Sequence, residues 1–94
     1  MAYLTHYELE IIEGEDLIEN VIENESEEYF ELSHSLDESG YTKEPSKWYE
    51  HESDLKKISM KYPNSTFQLS GESEASEEIW VKIFKNGKMT KEEN

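Results

Sequence analysis

The chain contains no cysteine. That excludes a disulfide framework and any thiolate metal site, and it fits a reducing compartment. Only two prolines and four glycines occur, and the glycines form no phosphate-cradling loop. Gly14, Gly40, Gly71 and Gly87 each stand where a turn is expected. Apolar residues amount to 34%, against a usual ~45–50%. No apolar run approaches the roughly 18 residues of a membrane span. The opening MAYLTHYELE has neither a basic region nor a long apolar core, so it does not read as a signal peptide. The expected location is the cytoplasm.

Ninety-four residues suit a single small domain. Such a chain buries only ~60–65% of its unfolded surface, so its stability margin is thin. Eleven aromatics offset the shortage of aliphatics and argue against full disorder. The net charge of −14 is unevenly placed. Residues 1–40 carry thirteen acids and no Lys or Arg, whereas residues 41–94 carry ten acids and nine lysines. Direct binding to nucleic acid or to an anionic membrane is disfavoured, and a basic protein surface is the natural partner.

Residues 3–12 alternate as a first strand with one wet face. Gly14 ends it, and Glu15 with Asp16 open a helical pattern running to about Asp37, with Gly40 placed as the residue after its C-cap. Asn24 or Ser26 marks a possible break. Residues 46–50 read as a short strand, and Ser53 as the cap of a helix carrying Leu55, Ile58 and Tyr62 inward until Pro63-Asn64 stops it. Phe67 and Leu69 share one side of the next strand. Residues 79–85 form the clearest one, and Asn86-Gly87 turns it back as a hairpin. The expected order is β-α-β-α-β-β-β. The fold class is α+β: a mainly antiparallel sheet with two or three helices on one face.

Within KWYEHESDLKKISMKYPNSTFQLSGESEASEEIWVKIFKNGK, a Trp-Tyr strand end precedes a helix closing in Tyr-Pro. A Gly-Glu turn, a Trp before an aromatic, and Asn-Gly-Lys follow. Residues 47–88 thereby resemble the YubB-like, ferredoxin-like small domains of bacteria, phages and mobile elements. The resemblance leaves out the acidic half, residues 1–40. It implies a ferredoxin-like fold and no particular activity, with Trp48, Tyr49, Gly71, Trp80 and Phe84 as core and turn residues.

Little in the chain resembles catalytic chemistry. Glu50-His51-Glu52-Ser53-Asp54 has metal-ligand residue types without the spacing of a zinc helix, so a favourably charged helix start explains it better. The loop from Gly71 to Glu78 lacks the ligand alternation of a calcium loop. No serine sits in a nucleophile elbow. The expectation is a non-enzymatic protein with no catalytic residue, metal or cofactor.

The stretch EDLIENVIENESEEYFE, residues 15–31, holds eight carboxylates. At ~100° per residue, Ile18, Val21, Ile22, Tyr29, Leu32 and Leu36 share one face. Glu19, Glu23, Glu27 and Glu31 then form an i, i+4 ladder opposite. Three like-charge pairs of that kind cost ~1 kcal/mol together, which suggests that the face is used. Phe30 falls among these acids as an interface anchor, and Glu25 falls inside the apolar stripe, which argues for a kink. The leading expectation is an acidic inhibitor, encoded by a phage or mobile element. It would occupy the basic nucleic-acid-binding groove of a CRISPR effector or another host defence nuclease as a DNA mimic. Its predicted partner-binding residues are Asp16, Glu19, Glu23, Glu27, Phe30 and Glu31. The alternatives are an interaction module using Trp48, Tyr49, Glu72 and Glu74, and an oligomeric binder of a small nucleotide-derived signal.

Overall fold

The structure, a computed structural model, describes residues 4–73 and 79–92. Within them the chain forms β1 (Thr5–Glu13), α1 (Ile18–Glu25), α2 (Phe30–Ser35), α3 (His51–Lys61), β2 (Thr66–Ser73), β3 (Ile79–Lys85) and β4 (Lys88–Glu92). The strands make one antiparallel sheet in the order β1-β2-β3-β4. All three helices lie between β1 and β2 in sequence, and they pack on one face of the sheet. The protein is α+β, in an arrangement compatible with a ferredoxin-like fold.

Period-two alternation selects the covered face. Tyr7, Leu9, Ile11, Phe67, Leu69, Phe84 and Met89 turn towards the helices, while His6, Glu8 and Glu10 turn away. Cross-strand register places Ile11, Phe67, Phe84 and Met89 in one row. Leu9, Leu69 and Lys82 form the next, and Tyr7, Gly71 and Trp80 the third. Val21, Ile22, Leu32, Leu36, Leu55 and Ile58 complete the core from the helices. Each such aliphatic contributes roughly 1.5–3 kcal/mol on burial. In the third row glycine is required by space. The Trp80 ring lies across Gly71, where a Cβ would come 2.1 Å from Trp80 Cζ2. Asn86 and Gly87, at φ +48° and +83°, make the hairpin turn. The Gly87 N–H reaches Ser59 Oγ at 2.8 Å and fastens that turn to α3.

Three expectations need correction. Residues 46–50 are not a strand beyond Ser46, which exchanges backbone hydrogen bonds of 2.9 and 3.1 Å with Thr5. The chain then turns, because the Trp48 N–H is taken by the Tyr7 hydroxyl at 3.0 Å instead of a neighbouring strand. The third helix starts at His51, two residues before the expected Ser53 cap. The acidic helix begins at Ile18 rather than at Glu15 and does not run on to Asp37: it breaks after Glu25, at the expected place, and restarts at Phe30 for six residues. Gly40 accordingly belongs to a turn after α2, where its carbonyl accepts the Leu9 N–H at 2.7 Å. Among the described residues, no helix is long and apolar enough to cross a membrane.

Candidate functional site

Glu25 shapes the acidic segment. It falls in the apolar stripe and is only 4% exposed, yet its surroundings are polar. Its carboxylate accepts from Lys61 Nζ at 2.7 Å and from the Tyr62 hydroxyl at 3.1 Å, which binds α1 to the end of α3. Lys61 also meets Glu28 at 2.6 Å. Hydrogen bonds to Glu25 first, and then to Glu28, hold the ammonium pKa well above the usual lysine range. At the same point the Ser26 hydroxyl donates back to the Ile22 carbonyl, a local bond that competes with helix continuation. Tyr29 then fills a buried slot, and α2 leaves in a new direction.

The four-residue ladder is therefore not one row. α1 retains the Glu19–Glu23 pair, Glu27 is exposed in the intervening turn, and Glu31 opens α2 half-buried. An i, i+4 ladder requires continuous helix, and the Glu25 anchor interrupts it. Among the described residues, no ion pair involves Glu19, Glu23, Glu27 or Glu31. Phe30 is 74% exposed, as a continuous wheel predicts, although the helix is broken. Its ring stacks on His34 with centroids 5.8 Å apart. Asp16 is occupied within the fold: it accepts the Ser65 hydroxyl at 2.5 Å, pinning the entry of α1 beside the start of β2.

The break creates something a straight helix lacks. The chain leaving α2 returns beside α1, and a groove of about 640 Å³ opens between them, lined by Glu19, Ile22, Glu23, Leu36, Asp37 and Glu38 among others. Its floor is aliphatic and its rim carries four carboxylates, with Lys43 the one cation of the lining. Asp37 is held by its own turn, accepting the N–H groups of Ser39 and Tyr41 at 2.8 and 3.0 Å. Glu19, Glu23 and Glu38 remain open to solvent. Hydrocarbon with ringed carboxylate is the chemistry that accepts lysine or arginine, whose stems are apolar and whose heads are cationic.

A second concave region lies where β1, β3 and the start of α3 meet. Trp48 is 1% exposed, and its indole N–H donates to Asp54 Oδ2 at 2.9 Å. His51 Nδ1 lies 2.8 Å from the Trp48 carbonyl. That acceptor assigns the proton to Nδ1 and leaves Nε2 to accept from Lys82 Nζ at 2.7 Å. Lys82 also pairs with Glu52 at 2.8 Å and lies 4.5 Å from the centre of the Trp80 ring. The His51 and Trp80 rings stack at 5.1 Å. Burial lowers the His51 pKa most, and the Lys82 cation lowers it further against an opposing hydrogen bond to the Trp48 carbonyl. The hydrogen bond from Lys82 lowers that of Glu52. The cleft is lined by Thr5, Tyr7, Lys47, Trp48, Tyr49, His51, Trp80 and Lys82, with a volume of about 310 Å³.

The secondary candidates do not share a surface. Trp48 is internal, Tyr49 is 73% exposed beside it, and Glu72 stands on the uncovered face of β2. Glu74 lies outside the described residues. Three of the residues that suggested a metal have protein partners: His51 and Glu52 bind Lys82, and Asp54 binds Trp48. Among the described residues, no group of three His, Asp or Glu is arranged to hold a metal ion. Asp37 and Glu38 joined the acidic site unannounced, since only the chain reversal brings them to Glu19. Lys82 was missed although the strand period sets it on the same face as Trp80 and Phe84: its charge argues against an inward position, which is made tenable by His51 and Glu52, both distant in sequence. Comparison with protein-family models, with curated proteins and with solved structures finds no match for this chain.

Proposed function

We propose that this chain is a non-enzymatic interaction protein that sets its acidic groove against the basic, nucleic-acid-binding surface of a protein partner and excludes DNA or RNA from it. The observation that supports this is the groove itself: Glu19, Glu23, Asp37 and Glu38 surround an aliphatic floor of Ile22 and Leu36. Exposed Phe30 adds an aromatic anchor on the adjoining helix. With α1 only eight residues long, the likeness to nucleic acid is not that of a straight rod of charge. It lies in clustered anionic groups able to receive several Lys or Arg side chains. Channels that hold guide-target duplexes, as in CRISPR effectors, offer such a surface, and a phage or mobile-element inhibitor acting inside the host cell fits it. Steering by a net charge of −14 speeds the encounter.

The test compares immobilised wild type with E19Q/E23Q/E38Q. Asp37 is left alone because its carboxylate holds the turn. A basic nucleic-acid-binding protein retained by wild type, lost from the variant and displaced by duplex DNA or RNA is the expected result. Equal retention by both proteins, undisturbed by nucleic acid, contradicts the proposal.

A further inference from the structure

The aromatic cleft is opposite in sign to the rest of the molecule. Besides the neutral phenols of Tyr7 and Tyr49, its ionisable lining consists of Lys47, Lys82 and a His51 held neutral, with no carboxylate among the described lining residues. Glu52 meets Lys82 and offsets part of its charge. Lys47 has no ion pair among the described residues. A volume of about 310 Å³ lies at the lower end of small-molecule sites.

Donors outnumber acceptors there. Lys82 has three N–H groups and directs two to His51 and Glu52; the third has no oxygen or nitrogen partner among the described residues. The Tyr7 hydroxyl accepts the Trp48 N–H, and no described residue accepts the hydroxyl's own proton, although Tyr7 is only 5% exposed. Unused donors on an aromatic wall call for an oxygen acceptor, and a charged one binds best. Ring edges and faces in the same wall, with exposed Tyr49 at the rim, suit a flat apolar body.

We propose that this cleft binds a small planar anion: an aromatic ring bearing a phosphate or carboxylate. The ring lies against Tyr49 and the accessible part of Trp80, and the anionic group takes hydrogen bonds from Lys47, Lys82 and Tyr7. Two sources share that chemistry, a mononucleotide and a free aromatic acid. The site is independent of the acidic groove, because it uses other residues and the opposite charge.

The experiment is an ¹H–¹⁵N NMR titration of the intact protein that follows the indole N–H signals of Trp48 and Trp80. The probes are adenosine 5′-monophosphate in one arm and phenylacetate in the other. The expected result is a saturable shift of the Trp80 signal, complete at roughly millimolar concentration or below, in at least one arm. A response to the nucleotide alone identifies the first source, to phenylacetate alone the second, and to both the shared chemistry. Lys47→Gln should weaken binding about tenfold or more, the worth of one hydrogen bond to a charged group. Tyr7→Phe should do the same, with its fold verified in the same spectra because the Trp48 N–H loses an acceptor. E19Q/E23Q/E38Q should bind the probe as wild type does, which separates this site from the groove. Absence of any shift at about ten times that concentration in both arms overturns the proposal, and so does binding that Lys47→Gln leaves unchanged.

Discussion

Removing Lys61 should damage the protein more than removing the glutamate it neutralises. The Glu25 side chain is 6% exposed and the Lys61 side chain 44%. Lys61→Met therefore strands a buried carboxylate whose remaining partner is the Tyr62 hydroxyl at 3.1 Å. Breaking a fully buried pair in this way costs ~3–5 kcal/mol. The retained hydrogen bond reduces that to roughly 2–4 kcal/mol. Glu25→Leu strands nothing comparable: Lys61 is half in water and keeps Glu28 at 2.6 Å, and the Tyr62 oxygen still receives Asn24 Nδ2 at 3.3 Å. A leucine in the apolar stripe also recovers buried area, so the cost should stay under about 1 kcal/mol. The double variant should then be more stable than Lys61→Met alone. Urea unfolding followed by circular dichroism measures all three free energies, and thermal melts should shift by ~4–8 °C per kcal/mol for a domain of this size. Near-equal stability of wild type and Lys61→Met would refute the reasoning, as would a double variant that simply sums the two losses.

Gly71→Ala should destabilise by ~1–3 kcal/mol, because its Cβ would overlap the Trp80 ring at 2.1 Å and expel it; thermal melts and Trp fluorescence report it, and an unchanged melt contradicts the packing. His51 should titrate below the ordinary histidine value, and Lys82→Met should move its midpoint upward by removing the neighbouring cation. Because the folded pKa is the lower one, the unfolded state binds this proton first. The stabilising contribution is thus present above the unfolded value and lost as pH falls through the window between the two, roughly from pH 6.5 downward. NMR of the imidazole C–H signals checks it, and a midpoint at or above the ordinary value refutes it. Asp54→Ala should cost ~1–3 kcal/mol by leaving the buried Trp48 indole N–H unpaired; an unaltered unfolding midpoint in urea would count against that hydrogen bond.

The strands were legible because their information is local. Alternation at Tyr7 and Leu9, at Phe67 and Leu69, and the Asn86-Gly87 turn each follow from neighbours in sequence. The acidic segment was legible only in part. Helical period identified Val21, Ile22, Tyr29 and Leu32 as buried, and the position of Glu25 signalled a kink. The Ser26 hydroxyl bond that accompanies the kink is local, but the partner that anchors Glu25 is a lysine 36 residues away, which no local pattern encodes. The second predicted strand failed for a related reason: Trp48 has strand-like chemistry, yet its N–H is satisfied by Tyr7, 41 residues earlier. The acidic groove needed the reversal at residues 37–41 to bring Glu38 to Glu23.

The central claim is that clustered carboxylates of the groove drive docking on a basic, nucleic-acid-binding protein. The most direct measurement is the association rate with a protein retained by wild type, recorded for wild type and E19Q/E23Q/E38Q from about 50 to 300 mM salt. Removing three charges takes the net charge from −14 to −11 without disturbing the core, since all three residues are exposed. The expected outcome is a wild-type rate that falls steeply with salt, a variant rate about tenfold lower at low salt, and loss of wild-type binding on addition of duplex nucleic acid. Equal rates for both proteins, with binding that nucleic acid leaves intact, would contradict the account.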